Sequence, residues 1–175
     1  MELKDHRVIA ADPDTVWAAL LDPEVLCRCI PGCESLNGSP EEGYEAVVVQ
    51  KVGPVKARFT GRVSLDDIVP GRSLTISGEG KGGPAGFARG SARVLVAPEG
   101  DGTALSYEVE AMVGGKLAQL GSRIIDGFAR KLADEFFSRF QEAVEEPEEA
   151  EVEAAQADDT EAQPKKGWFR RLTRR

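Results

Sequence analysis

ARFTGRVSLDDI, residues 57–68, alternates in period two. Ala57, Phe59, Gly61, Val63 and Leu65 fall on one side, and Arg58, Thr60, Arg62, Ser64 and Asp66 on the other. Successive side chains of a strand point to opposite faces, so this is a β-strand with one apolar and one solvated face. SARVLV (91–96) and TALSYEVEAMV (103–113) alternate in the same way. Between Glu34 and Gly114 the turn-forming stretches NGSPEEG, VGPV, VPGR, GKGGPAG and PEGDG separate six such runs. Strands at regular spacing divided by Gly- and Pro-rich turns make an antiparallel meander.

Outward from the meander, ELKDHRVIA (residues 2–10) reads as a first strand. ADPDTVWAALLDPEVLCRCIPGC (11–33) reads as two short helices, because Asp12–Pro13 and Asp22–Pro23 each place a capping carboxylate before a proline. Lys116 to Ala143 reads as one long helix. Leu120, Ile124, Phe128, Leu132, Phe136 and Phe140 recur at i, i+4, and Leu117, Gly121, Ile125, Ala129, Ala133 and Phe137 form a second row. The fold class is therefore α+β: a curved seven-stranded antiparallel sheet wrapped on a long C-terminal helix, with two short helices after the first strand.

The residues that alternation turns toward that helix are unusually small. They include Val48, Gln50, Ala57, Phe59, Gly61, Ile76, Ala88, Gly90, Ala92, Tyr107, Val109 and Ala111. Protein interiors are packed to about 0.74 density, so the space beneath the helix must be filled. Either the helix sinks in, helped by Gly121 and Gly127, or an apolar ligand occupies a cavity completed by Leu117, Leu120, Ile124 and Phe128. Gln50 and Tyr107 are the polar residues placed to orient such a ligand.

Other motifs carry less. Cys27, Cys29 and Cys33 lack the CxxC spacing and the fourth ligand of a closed zinc site, so they read as small apolar side chains and no metal is expected. GEGKGGPAG (78–86) lacks the phosphate-loop order GxxxxGK[ST] and reads as a hairpin tip. His6, the single histidine, has no placed partner as a general base. Asp66–Asp67 reads as turn chemistry. No nucleophile–base constellation emerges, so the expectation is a protein without a catalytic site.

The 175 residues carry a net charge of −8, unevenly placed. Val144 to Gln163 holds nine acidic residues and no basic one, and is too polar to order itself, so residues 144–163 read as a disordered linker after a domain at 1–143. Residues 164–175 hold six cations, Lys165, Lys166, Arg170, Arg171, Arg174 and Arg175, around Trp168, Phe169 and Leu172. On a helical wheel those three apolar residues fall within about 100° of each other. This is a short basic amphipathic segment suited to an anionic membrane surface. The bland alternative is a solvated basic end pairing with the acidic linker. RNA binding would use the same residues, but the acidic body argues against nucleic acid. No secretory signal and no apolar run of spanning length is present, so the expected location is cytoplasmic, peripheral on the inner face of the membrane.

DPEVLCRCIPGCESL (22–36), VGPVKARFTGRV (52–63), GEGKGGPAGFARGSA (78–92) and VGGKLAQLGSRIIDGFARKLADEFF (113–137) together resemble the CoxG family, the G-subunit family of carbon monoxide dehydrogenase, within the START-like, helix-grip superfamily. The resemblance covers about residues 1–143. It implies a non-catalytic partner of a molybdenum hydroxylase of the CO dehydrogenase type. It further implies an isoprenoid quinone, of menaquinone or ubiquinone type, in the helix-grip cavity, and recruitment of the dehydrogenase to the membrane so that electrons reach the respiratory chain. No covalent cofactor is implied. The same superfamily contains polyketide aromatases, so an enzyme on an aromatic substrate is one alternative, and a ligand-free assembly chaperone of the dehydrogenase is another.

Overall fold

The computed structural model describes residues 1–145, of which Met1–Gln141 form one compact unit. Strand β1 (Glu2–Ile9) leads into helices α1 (Pro13–Leu21) and α2 (Pro23–Cys29). Six strands follow: β2 (Cys33–Ser39), β3 (Gly43–Val52), β4 (Val55–Val69), β5 (Ser73–Lys81), β6 (Phe87–Glu99) and β7 (Gly102–Gly114). They form one antiparallel sheet in the order β1-β7-β6-β5-β4-β3-β2. The meander thus pairs each strand with the next, and β1 closes the far edge against β7. Helix α3 (Ser122–Glu145) is the last described element.

Local chemistry sets these boundaries. Asp12 and Asp22 cap α1 and α2 as their spacing implies: their carboxylates accept from the Thr15 and Glu24 amides at 3.1 and 2.9 Å. Hydrogen bonds from the Thr15 side chain, and then from its amide, hold the Asp12 carboxyl below its ordinary pKa. Asp66 and Asp67, expected in a turn, lie instead inside β4, where Asp67 with φ of 53° marks a bulge at which the β4–β5 register shifts.

One boundary differs from the sequence reading. The apolar rows begin at Leu117, but residues Gly115–Leu120 form a 3-10 turn and α3 starts only at Ser122. Gly121 divides the two with φ of 92°, which a residue without Cβ adopts freely. Leu117 and Leu120 therefore lie on that turn, not on the helix. Gly127 does not let the helix sink in either, because a Cβ built there meets nothing within 4 Å.

The closed core lies at one end of the sheet. Ile9, Val16, Leu105, Thr103 and Phe140 are almost inaccessible there, and the Thr103 hydroxyl donates to the Ala11 carbonyl at 2.7 Å. Phe136, Phe137 and Phe140 pack as a stack with edge contacts, and Phe137 stacks on Tyr107 with centroids 5.1 Å apart. The C-terminal half of α3 is thus fixed to β7. At about 1.5 Å per residue, 24 residues span ~36 Å, so the N-terminal half extends over the rest of the sheet.

Candidate functional site

The strand registers put the expected lining residues on one face. Gln50 pairs with Ala57, Val48 with Phe59 and Ala46 with Gly61. Gly78 faces Val63 and Gly90, Ile76 faces Ala92, and Ala92 faces Val109. Gly90 lies opposite Ala111, and Ala88 opposite Val113. All of these are half-buried, whereas the same face is closed at Leu74, Val94, Leu105 and Tyr107. These inward residues stay half-accessible, in contrast to the closed end of the same face.

Two depressions open along the seam between α3 and the β1–β7 edge. One, about 580 Å³, is lined by Ala111, Val113, Gly121, Ser122 and Ile125 among others. The second, about 370 Å³, is lined by Leu3, Arg7, Tyr107, Arg130, Ala133 and Asp134 among others. Small-molecule sites commonly run from about 300 to 1,000 Å³. At the opposite side of α3, Leu120 and Ile124 lie against the β3–β4 turn at Gly53. Ile124 is 42% exposed, so it forms a rim there. Leu117 is buried, and Leu120 and Phe128 are half-buried. The Phe59 ring packs over Gly82 of the β5–β6 connection, which leaves no room for a Cβ.

The polar residues are deployed differently from the expectation. Gln50 donates from Nε2 to the Pro31 carbonyl at 2.5 Å, which ties it to the α2–β2 turn. Tyr107 lies inside as expected, with Arg7 beside it, a residue the sequence reading left out. Arg7 follows from the register, since it pairs with inward Leu105. Its guanidinium donates to Asp134 at 2.7 Å and to the Tyr107 hydroxyl at 3.4 Å, and stands 5.0 Å over the Phe137 ring. Burial opposes its charge, but the hydrogen bonds to Asp134 and Tyr107 prevail and raise its pKa above the ordinary arginine value. Its Nε is buried without a hydrogen-bond partner. That is one spare donor at the closed end of an otherwise apolar face. An arginine already paired with a carboxylate suits a neutral acceptor oxygen better than a second anion.

A further depression, about 1090 Å³, opens on the outer face. It is lined by Glu45, Arg62, Ser64, Ser77, Glu79, Arg89, Ser91 and Glu110 among others. Arg62 pairs with Glu45 at 2.6 Å, and both side chains are more than half exposed. We read this groove as the solvated side of the sheet, since its charged and hydroxyl residues alternate along the strands with Val63, Gly78, Gly90 and Ala111, inward residues whose positions also border it. His6 is exposed on the outer side of β1. Among the described residues no group of three or more His, Cys, Asp or Glu is arranged to hold a metal ion.

The sequence model for the G-subunit of carbon monoxide dehydrogenase (CoxG) matches residues 6–145. The chain belongs to the CoxG family. Among solved structures, this CoxG chain is similar to a conserved protein from Geobacillus kaustophilus, with 31% identity and a TM-score of 0.78 over 83% of this chain and 96% of that one. A START superfamily protein from Mycobacterium smegmatis matches at 14% identity and a TM-score of 0.62, over 83% and 97%. A protein from Chromobacterium violaceum matches at 20% identity and 0.60, over 83% and 98%. The last two share the fold. No curated protein matches the chain. The START-like, helix-grip architecture of the CoxG domain is thus established, in keeping with a ligand-binding role. Of the linker read at 144–163, Val144 and Glu145 close α3, with Val144 buried, so the helix runs two residues past the expected domain end; the remainder of the linker and the basic segment at 164–175 lie outside the described residues. Among the described residues no helix is long and apolar enough to cross a membrane.

Proposed function

We propose that this CoxG domain is a non-catalytic carrier of an apolar ligand held between the sheet and α3, and that the ligand is an isoprenoid quinone. The observation that carries this reading is the half-buried row of Ala, Gly and Val across the central strands, on the sheet face against which the C-terminal half of α3 stacks. A flexible isoprenoid chain matches such a surface, which is apolar and makes few directional demands. The Arg7–Tyr107 pair supports a head bearing a neutral carbonyl oxygen, because the buried Nε–H needs an acceptor and the positive charge is already met by Asp134.

In this reading the protein recruits a molybdenum hydroxylase of the CO dehydrogenase type to the cytoplasmic membrane and passes its electrons to the quinone pool. The family name supports the dehydrogenase as partner. The six cations and the Trp168–Phe169 pair support peripheral attachment at an anionic surface. Catalysis by the domain itself is disfavoured by the single histidine facing outward and by a lone inward arginine already engaged in an ion pair.

Native mass spectrometry of the full chain, purified in mild detergent from cells that make quinone, tests the reading. A bound mass equal to the host's quinone is expected. Protein that emerges empty, and stays empty when quinone is added, favours the assembly-chaperone alternative.

A further inference from the structure

We propose that Cys27 and Cys33 form a reversible disulfide that ties α2 to the β2–β3 edge of the sheet, formed by exchange with a low-molecular-weight disulfide. Cys27 lies in the last turn of α2 and Cys33 opens β2, yet their Sγ atoms stand 3.0 Å apart. That is about 1 Å beyond a disulfide bond of ~2.05 Å, so bonding needs only a small side-chain adjustment. Both residues are half-exposed and reachable by a small reagent, whereas Cys29 is 1% exposed and faces the core.

The backbone holds the pair in place. The Cys33 amide donates to the Ile30 carbonyl at 3.1 Å, and the Val49 amide to the Gly32 carbonyl at 2.9 Å. Gln50 anchors Pro31 between them. Gly32 has φ of 77° and packs so closely on the Val49 carbonyl that no Cβ fits, so the turn has one geometry. Cys33 lies opposite Val48, one of the residues facing the space beneath α3, so the bond would fix α2 beside that space.

The order of steps follows from the environment of the sulfurs. Burial, and the neighbouring Cys27 sulfur, push the Cys33 thiol up to about 12, so it stays protonated at neutral pH. Cys27 therefore attacks first. Its thiolate displaces one thiolate from the reagent disulfide and forms a mixed disulfide. The Cys33 sulfur then attacks the Cys27 sulfur, gives its proton to solvent and expels the second thiol. Two protein thiols are oxidised and one reagent disulfide is reduced to two thiols.

The test is incubation of the full chain with oxidised glutathione, followed by acid quench, intact mass and thiol titration after denaturation. The wild type should lose the mass of two hydrogens, and its titratable thiols should fall from three to one. Trypsin cuts after Arg28, so the oxidised chain should yield peptide 8–28 joined to 29–51. The Cys29→Ser chain should still form the bond. The Cys33→Ser chain should instead retain one glutathione on peptide 8–28. Dithiothreitol should restore three thiols. Three free thiols or unlinked glutathione adducts in the wild type, or a bond lost in Cys29→Ser and kept in Cys33→Ser, would overturn the proposal. The peptide map of the wild type needs no variant, so a misfolded mutant does not blunt the test.

Discussion

Replacing Ala92 by Phe asks whether the space beneath α3 is empty. Ala92 lies mid-sheet, opposite Ile76 and Val109, and is half-buried. A phenyl ring there adds roughly 100 Å² of apolar surface, somewhat less than the ~150 Å² that a whole aromatic residue buries at minimum. If about half of it is covered by the apolar neighbours, burial contributes ~1.3 kcal/mol at about 25 cal/mol per Å². Restricting the ring's rotamers costs up to about 1 kcal/mol. The two nearly cancel, so the ligand-free variant should lie within about 1 kcal/mol of the wild type. A filled core would instead resist the ring at roughly 1–3 kcal/mol or more. Urea unfolding of both proteins stripped of ligand reads the difference. At a slope near 2 kcal/mol per M, a 2 kcal/mol loss moves the midpoint by about 1 M. A loss of that size refutes the open interior. An unchanged midpoint with weakened quinone binding supports it.

Three other outcomes are expected. Phe140→Ala removes a ring with no exposed surface, stacked on Phe136 at 5.8 Å, and should cost about 3–5 kcal/mol in the same unfolding assay, in contrast to Ala92→Phe. The hydrogen bonds from Thr15 depress the Asp12 carboxyl in the folded state, so its contribution is present above the ordinary carboxylate pKa and is lost as pH falls through the lower folded value. Asp12→Asn should therefore flatten the loss of stability below about pH 4, read as urea midpoints across a pH series. At an anionic surface, six cations contribute up to about 6 kcal/mol at ~1 kcal/mol each. The full chain should sediment with anionic but not zwitterionic vesicles and weaken with salt, and Trp168→Ser with Phe169→Ser should release it; undiminished sedimentation of that variant would contradict the assignment.

The sheet was legible because one signal, alternation, fixes both a strand and its buried face. Ala57–Leu65 declared β4, and the neighbouring Gly- and Pro-rich turns set the meander, so the inward list needed only the pairing to confirm it. The start of α3 was not legible. Leu117 and Leu120 are three apart, and a 3-10 turn presents that spacing as readily as an α-helix does, while Gly121 leaves no mark on an apolar count. Arg7 escaped because an arginine in a short edge strand reads as solvated, and only its register opposite Leu105 turns it inward. The Cys27–Cys33 approach depends on a turn fixed by Val49 and Gln50 from another strand, information that spacing within CRCIPGC does not contain.

The central claim is that an apolar ligand lies against the small residues of the sheet's inner face. Alanine-methyl NMR tests it most directly, because alanines mark both faces. Titration with a short-chain quinone should shift the methyls of Ala46, Ala57, Ala88, Ala92 and Ala111, which share the inner face by register. Ala97 and Ala104, paired with each other on the outer side, should stay still. Shifts confined to the outer face, or none at all in protein shown to be free of ligand beforehand, would contradict the account.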